Sequence, residues 1–197
     1  DVGFIWLLNH DTVVDPKALS ELVSYAWTHS GTGLMGSQLR YYEEPHAVQC
    51  VGCWLNPVFG VAGNYHENAG KQLDYVSGAS LFVSTAFVKQ VGMLSEEYFL
   101  YFEEADWAVR AKRQGYSCAC VMRSIVYHKE GASIGASNKD KAQKSLLGDF
   151  YGIRSRILFT LKFYKKYLFF VYLGLLLTMA NRIRRKQWKR VGMVFSL

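Results

Sequence analysis

Apolar residues run without alternation through Gly3-Phe4-Ile5-Trp6-Leu7-Leu8, which predicts a central strand buried on both faces. It leads directly into the polar run Asn9-His10-Asp11-Thr12. Asp15-Pro16 then predicts a capped helix start, and Leu19, Leu22, Val23 and Ala26 repeat at helical spacing behind it. Residues 37–74 show little period and read as short strands and loops. A Ser77-Gly78 turn precedes an apolar strand over Ala79–Val83, followed by a short helix over Ser84–Val91 that Gly92 ends. Glu103–Gln114 reads as a helix closed by Gly115. Tyr116–Val121 and Ser124–Tyr127 read as strand pieces, with His128 at the end of the second. Lys129–Asp140 is polar and contains Gly and Ser, which predicts a mobile loop. From Lys141 onward the pattern is helical. Tyr167–Asn181 is a 15-residue stretch without charge, set between Lys165-Lys166 and the group Arg182, Arg184, Arg185 and Lys186.

Composition changes this picture in two ways. Half of the 197 residues are hydrophobic and 15% aromatic, which excludes a disordered chain and allows one domain with a core plus an appendage. The net charge of +7 is unevenly placed: residues 1–150 hold 12 Lys/Arg and 16 Asp/Glu, whereas residues 151–197 hold 11 Lys/Arg and no acid. The expected organisation is therefore a mildly acidic body, 1–150, and a helical, basic, membrane-associating tail, 151–197. A spanning helix needs about 20 apolar residues, so the uncharged stretch predicts an interfacial or re-entrant helix. Its alternative is a helix buried in an oligomer or in another part of the protein. The Leu-rich run suits lipid better than bases, so nucleic acid is not an expected partner. The chain opens on Asp1 at a strand, which leads us to expect a piece of a longer protein, and no signal-peptide pattern is visible. Cys50-x-x-Cys53 has metal-ligand spacing, but Cys118-x-Cys120 does not, and four reduced, semi-buried thiols are the expectation.

Three places could carry chemistry. Asp11 follows a buried strand, where a carboxylate either holds a divalent metal against a diphosphate or caps a turn. Glu103, Glu104 and Asp106 cluster behind the aromatic run Tyr98 to Phe102. Their mutual repulsion and the neighbouring rings would raise the proton affinity of at least one, as a general base towards an alcohol requires. The helix dipole alone would favour one or two acids there. His128 is either structural or a ligand. His10, His29, His46 and His66 have no ligand-like spacing.

In order and spacing, these segments resemble the family 2 inverting glycosyltransferases of the GT-A fold, especially a bacterial rhamnosyltransferase-like branch. Phe4 to Thr12 resembles that family's form of the Asp-x-Asp motif, Asp74 to Val83 its acceptor-side strand, and Val91 to Trp107 with Arg110 and Gly115 its Glu-Asp helix. Val126-Tyr127-His128 matches the strand that follows, and the similarity covers roughly residues 1–160.

The resemblance implies an α/β fold: a partial GT-A (Rossmann-like) mixed sheet flanked by helices, lacking the first nucleotide-binding strands. It implies that Asp11 and His128 hold a divalent metal, Mg or Mn, and that Asn9 and Asp11 contact the donor. Glu104 stands where the family has the Asp of Glu-Asp, the catalytic base. Gly78, Ala79, Ser80, Glu103, Asp106 and Trp107 would contact the acceptor. The implied reaction is inverting transfer from a nucleoside-diphosphate sugar to a saccharide or lipid-linked saccharide, in polysaccharide biosynthesis at the cytoplasmic face of a membrane. The alternative is an inactive truncated fragment that serves as a membrane-associated interaction module. Donor sugar, linkage and oligomeric state are not specified by these residues.

Overall fold

The computed structural model describes residues 3–67, 70–129 and 145–194, so the predicted loop falls outside the described residues beyond Lys129. The chain forms two compact units: Asp1–Leu55, Ala62–Ser95 and Glu103–Ala132 make the first, and Asn56–Val61, Glu96–Phe102 and Ser133–Leu197 the second.

The first unit is built on a mixed sheet. Its strands are β1 (Phe4–Leu8), β2 (Thr12–Val14), β3 (Thr32–Tyr41), β4 (Val48–Cys50), β7 (Ser80–Ser84) and β8 (Ser117–His128), in the order β1-β7-β3-β8-β2 with β4 on β3. Strands β5 (Cys53–Asn56) and β6 (Val61–Asn64) form a separate two-stranded ribbon. The β3–β8 pair is parallel, and the other pairs are antiparallel. Helices α1 (Ala18–Thr28), α2 (Thr85–Val91) and α3 (Glu103–Arg113) complete the unit. This is the α/β arrangement expected of a partial GT-A fold.

The central strands alternate between two apolar layers, as the period of a strand dictates. Leu34, Leu81 and Val83 pack with Phe87, Val91, Trp107 and Ala111 of α2 and α3. Their neighbours Met35 and Phe82 pack with Leu22 of α1. Both faces are covered, which is why these strands read as continuous apolar runs. A chain of hydroxyl bonds also crosses four adjacent strands: Trp6 Nε1 donates to Ser80 Oγ (3.0 Å), Ser80 Oγ to Ser37 Oγ (2.8 Å), and Ser37 meets Ser124 (2.8 Å). These serines are buried, so a slip in register would leave them unpaired at a cost.

Two expectations change. The Gly3–Leu8 run is not a central strand: among the described residues β1 pairs with β7 alone, and Ile5 and Leu8 keep substantial exposure. Phe4 and Trp6 pack into one apolar layer and Leu7 into the other, while the edge position leaves Ile5 and Leu8 partly open. The helix expected at Asp15-Pro16 begins at Ala18, because Asp15 Oδ1 first accepts Lys17 N–H (2.9 Å) and holds a turn ahead of it. Elsewhere the punctuation acts as read. Ser84 Oγ caps α2 by accepting Phe87 N–H (3.0 Å), and Gly115 (φ 85°) follows α3 in the left-handed region. The two pieces at 116–127 join into β8, whose register against β3 jumps from Ser37↔Val121 to Gln38↔Ile125.

The second unit is helical: α4 (Leu146–Phe163), a single 3-10 turn (Lys165–Tyr167), α5 (Leu168–Arg184) and α6 (Trp188–Val194). Ile153, Val171 and Leu175 form an apolar cluster. Phe159, fully buried, lies against Phe102 (5.1 Å), Phe163 (5.2 Å) and Tyr164 (5.7 Å). Asp149 on α4 takes both oxygens to Arg182 of α5 (2.7 and 2.8 Å) and one to Arg190 of α6 (2.8 Å). Arg182, read from sequence as a flanking surface cation, is thus turned inward. Removing Asp149 would leave two cations facing each other with little solvent. Asp149→Ala is expected to destabilise the second unit by about 3–5 kcal/mol, seen as an earlier urea midpoint for loss of helix. A loss under about 1 kcal/mol would show that the three-residue network holds the helices only weakly.

Candidate active site

The site begins where α3 begins. Tyr101 (φ 65°) and Phe102 (φ 74°) lie in the left-handed region, two bulky side chains in succession, immediately before Glu103. Each such residue costs on the order of 1–3 kcal/mol, and such strain gathers where a functional group must be aimed. Glu103 and Glu104 stand in the first turn of α3, where the helix dipole favours carboxylates.

Glu104 is half-buried: solvent reaches part of the residue, while protein atoms crowd its carboxylate. The backbone N–H of Gly78 donates to that carboxylate. A Cβ on Gly78 would collide with Glu104 Oε1, so only glycine leaves room for this contact. The two backbone hydrogen bonds and the dipole favour the ionised form, but burial and the charge of Glu103 outweigh them. The Glu104 carboxyl is pushed up to about 8. Burial also raises Glu103, whose Oε2 is buried with no hydrogen-bond partner among the described residues.

The ground behind Glu104 is neutral. The Tyr75 hydroxyl and the Cys53 thiol are hydrogen-bonded, and burial drives the phenol well above its ordinary range. Cys53 Sγ lies 3.8 Å from Cys50 Sγ. The bond from Cys53 lowers Cys50, and that shared bond, followed by burial, raises Cys53. Burial pushes Cys118 up to about 11 and Cys120 up to about 12. All four thiols are free.

Asp11 lies in the turn between β1 and β2. Thr12 donates both its backbone N–H (3.2 Å) and its hydroxyl (2.6 Å) to Asn9 O, which tightens that turn. The β2–β8 register sets Thr12 opposite His128, and Lys129 N–H donates to Asp11 O (3.0 Å). As a result Asp11 Oδ1 stands 3.3 Å from His128 Nε2. On the other side of the ring, Nδ1 lies 2.9 Å from Gln49 Oε1. With Gln49 Oε1 accepting, Nδ1 carries the proton of that bond and Nε2 is the ring atom that faces Asp11. Asp11 Oδ1 is buried and lacks a hydrogen-bond partner among the described residues. Among the described residues no group of three or more His, Cys, Asp or Glu could hold a metal.

The turn over residues 77–80 joins these halves. Asn9 N–H donates to Ala79 O (3.2 Å), and the preceding Gly78 holds Glu104. Asn9 is exposed at the turn, whereas Ala79 and the Ser80 side chain are buried. Asp106 and Trp107, for which the resemblance implies acceptor contacts, are enclosed by the fold. Asp106 Oδ1 binds Arg110 Nε (2.6 Å), and that arginine also reaches Val91 O (2.8 Å) and Met93 O (2.7 Å). Trp107 Nε1 donates to Gly92 O (2.9 Å). The geometry gives both the task of fixing α3 to the end of α2. Gln49 and Tyr75 carry no signal of a site role in the sequence. Only the Cys-x-x-Cys spacing flagged that neighbourhood, and no local pattern marks a lone Gln or Tyr.

Two comparisons with known proteins bear on this arrangement. A segment of 48 residues, 24% of the chain, is 34% identical to the low-salt glycan biosynthesis hexosyltransferase Agl10 of Haloferax volcanii. The match spans 16% of that relative's length. The sequence profile of glycosyltransferase-like family 2 matches residues 3–145, which take in the Asp11 turn, the Gly78 turn, the Glu104 helix and His128. The chain belongs to glycosyltransferase-like family 2.

Proposed function

We propose that this chain carries the metal-binding and base-bearing side of an inverting glycosyltransferase. The donor is a nucleoside-diphosphate sugar and the acceptor a saccharide, free or lipid-linked. The observation that carries this reading is Glu104: a crowded carboxylate on a half-buried residue, with raised proton affinity, held by Gly78 N–H beside the turn that bears Asp11. A base of that affinity suits an alcohol acceptor, because it both accepts a proton near neutral pH and releases it again.

In this reading Glu104 takes the proton from an acceptor hydroxyl as its oxygen forms a bond to the anomeric carbon. The bond from that carbon to the diphosphate oxygen breaks on the opposite face, and the configuration inverts. Asp11 and His128 would hold a divalent cation, Mg or Mn, and a cation so held supplies charge neutralisation for the diphosphate. The orphaned Asp11 Oδ1 and Nε2 of His128 fit that role, and Gln49, accepting from Nδ1, leaves Nε2 facing Asp11. Asn9, exposed in the same turn, is available to donor ribose or phosphate. Rhamnosyl transfer, the activity of the branch that the motifs resemble, is the first donor class to test.

Three outcomes are expected. Glu104→Gln should cut transfer by roughly 10²–10⁴-fold while donor affinity stays within a few-fold, measured by product formation and calorimetry. Unchanged turnover would remove Glu104 as the base. Transfer should also rise with pH through about 8, since only the ionised carboxylate accepts a proton. The slope below that point should be roughly tenfold per pH unit, and a flat profile between pH 6 and pH 9, on the order of this range, would contradict the assignment. Finally, Asp11→Asn and His128→Ala should each weaken Mn-dependent donor binding by roughly 10–100-fold without changing metal-free binding. Equal loss with and without Mn would assign both residues a purely structural role.

A further inference from the structure

Helix α5 has two apolar faces. Val171 and Leu175 point inward to Ile153. On the opposite side Phe169 (71% exposed), Tyr172, Leu173, Leu176 (60%), Leu177 (67%) and Ile183 stand open. Their spacing of three or four residues makes one stripe along the whole helix. A stripe of this length is larger than the scattered apolar residues of an ordinary surface and marks a place of contact.

The charges say what covers it. Lys165 and Lys166 are exposed at the start of α5, and Arg184, Arg185 and Lys186 at its end. Residues 151–197 contain no acid. Trp188 is exposed just past the helix, and Tyr172 lies on the stripe. An apolar centre between basic ends, with aromatic rings of mixed polarity, is the pattern of a helix lying in a membrane interface. The 17 residues of α5 span about 26 Å, short of the ~30 Å hydrocarbon core, and cations stand at both ends. No helix among the described residues is long and apolar enough to cross a membrane. A second copy of the chain would bring two acid-free tails together, and a nucleic acid would want its cations along the helix, where 167–181 has none.

We infer that α5 docks in the plane of an anionic lipid surface, with Phe169, Leu173, Leu176 and Leu177 in the acyl boundary and the basic ends on the headgroups. The inference is independent of the catalytic reading, because it concerns a different unit and its test needs no activity.

The test is flotation of the full chain with two kinds of vesicle, phosphatidylcholine alone and phosphatidylcholine mixed with phosphatidylglycerol. The wild type is expected to float with the anionic vesicles and only weakly with the neutral ones. Leu176→Glu/Leu177→Glu should abolish flotation. The milder Leu176→Ala/Leu177→Ala, for which folding is not at risk, should lower binding by on the order of tenfold or more. Lys165→Gln, Lys166→Gln, Arg184→Gln and Arg185→Gln should each lower anionic binding roughly fivefold and leave neutral binding unchanged. Failure of the wild type to float overturns the inference, as does flotation that ignores the Leu variants. A lipid-free dimer dissolved by Leu176→Glu/Leu177→Glu would overturn it too and assign the face to a second copy. Oligonucleotide binding that survives the Leu substitutions and competes with vesicles would overturn it in favour of nucleic acid.

Discussion

The contact between the Gly78 backbone N–H and the Glu104 carboxylate is the constraint on which the candidate site depends. It demands a residue without a side chain at 78, because the Glu104 oxygen occupies the place of a Cβ. It also places the carboxylate one residue from Ala79, whose carbonyl receives the Asn9 amide and so fixes the turn that carries Asp11. Glu104 and Asp11, far apart in sequence, are thereby referred to one short stretch of backbone. The hydroxyl chain from Trp6 through Ser80 and Ser37 to Ser124 keeps that stretch in register with the sheet.

The energetics of the site follow from opposing effects of known sign. Backbone donors and the α3 dipole pull Glu104 towards ionisation, while crowding and Glu103 push against it, and the push wins. Nearby, burial makes Tyr75 hold its proton more tightly as well, and the bond with Cys50 followed by burial does the same for Cys53. A group of this kind is costly to keep charged in the folded state. Its contribution to stability is greatest at acid pH, where folded and unfolded chains both hold the proton. It declines as pH rises from the ordinary Glu range towards about 8, where only the folded chain still binds it. The strain at Tyr101 and Phe102 adds to the same cost. The second unit meets a comparable problem at Asp149 in the opposite way, pairing a buried charge with two arginines.

Much of this was legible in the sequence where the signal is local. Gly92, Gly115 and Ser84 mark helix ends because their backbone or hydroxyl chemistry acts within a few residues. The apolar run at 79–83 marks a buried strand because both faces are covered. What the sequence hides is long-range. Nothing near Gln49 says that it will orient His128, 79 residues away. Nothing near Arg182 distinguishes it from the surface cations that follow, although it pairs with Asp149. Asp106 and Trp107 carry the family pattern as plainly as Glu104 does, yet their side chains serve the packing of α3. Conversely, β1 reads as central because its residues are apolar on both sides, but pairing partners are not written in a strand's own composition.

The central claim is that Glu104 is a proton-accepting group tuned by burial and held through Gly78. It is tested most directly by following the ¹³C resonance of the Glu104 side-chain carboxyl through a pH titration, in the wild type and in Gly78→Ala. The account predicts a wild-type midpoint near 8 and a clear displacement in Gly78→Ala, where the added methyl forces the carboxylate from its place. A wild-type midpoint in the ordinary Glu range of about 4.3, unmoved by the substitution, would contradict it.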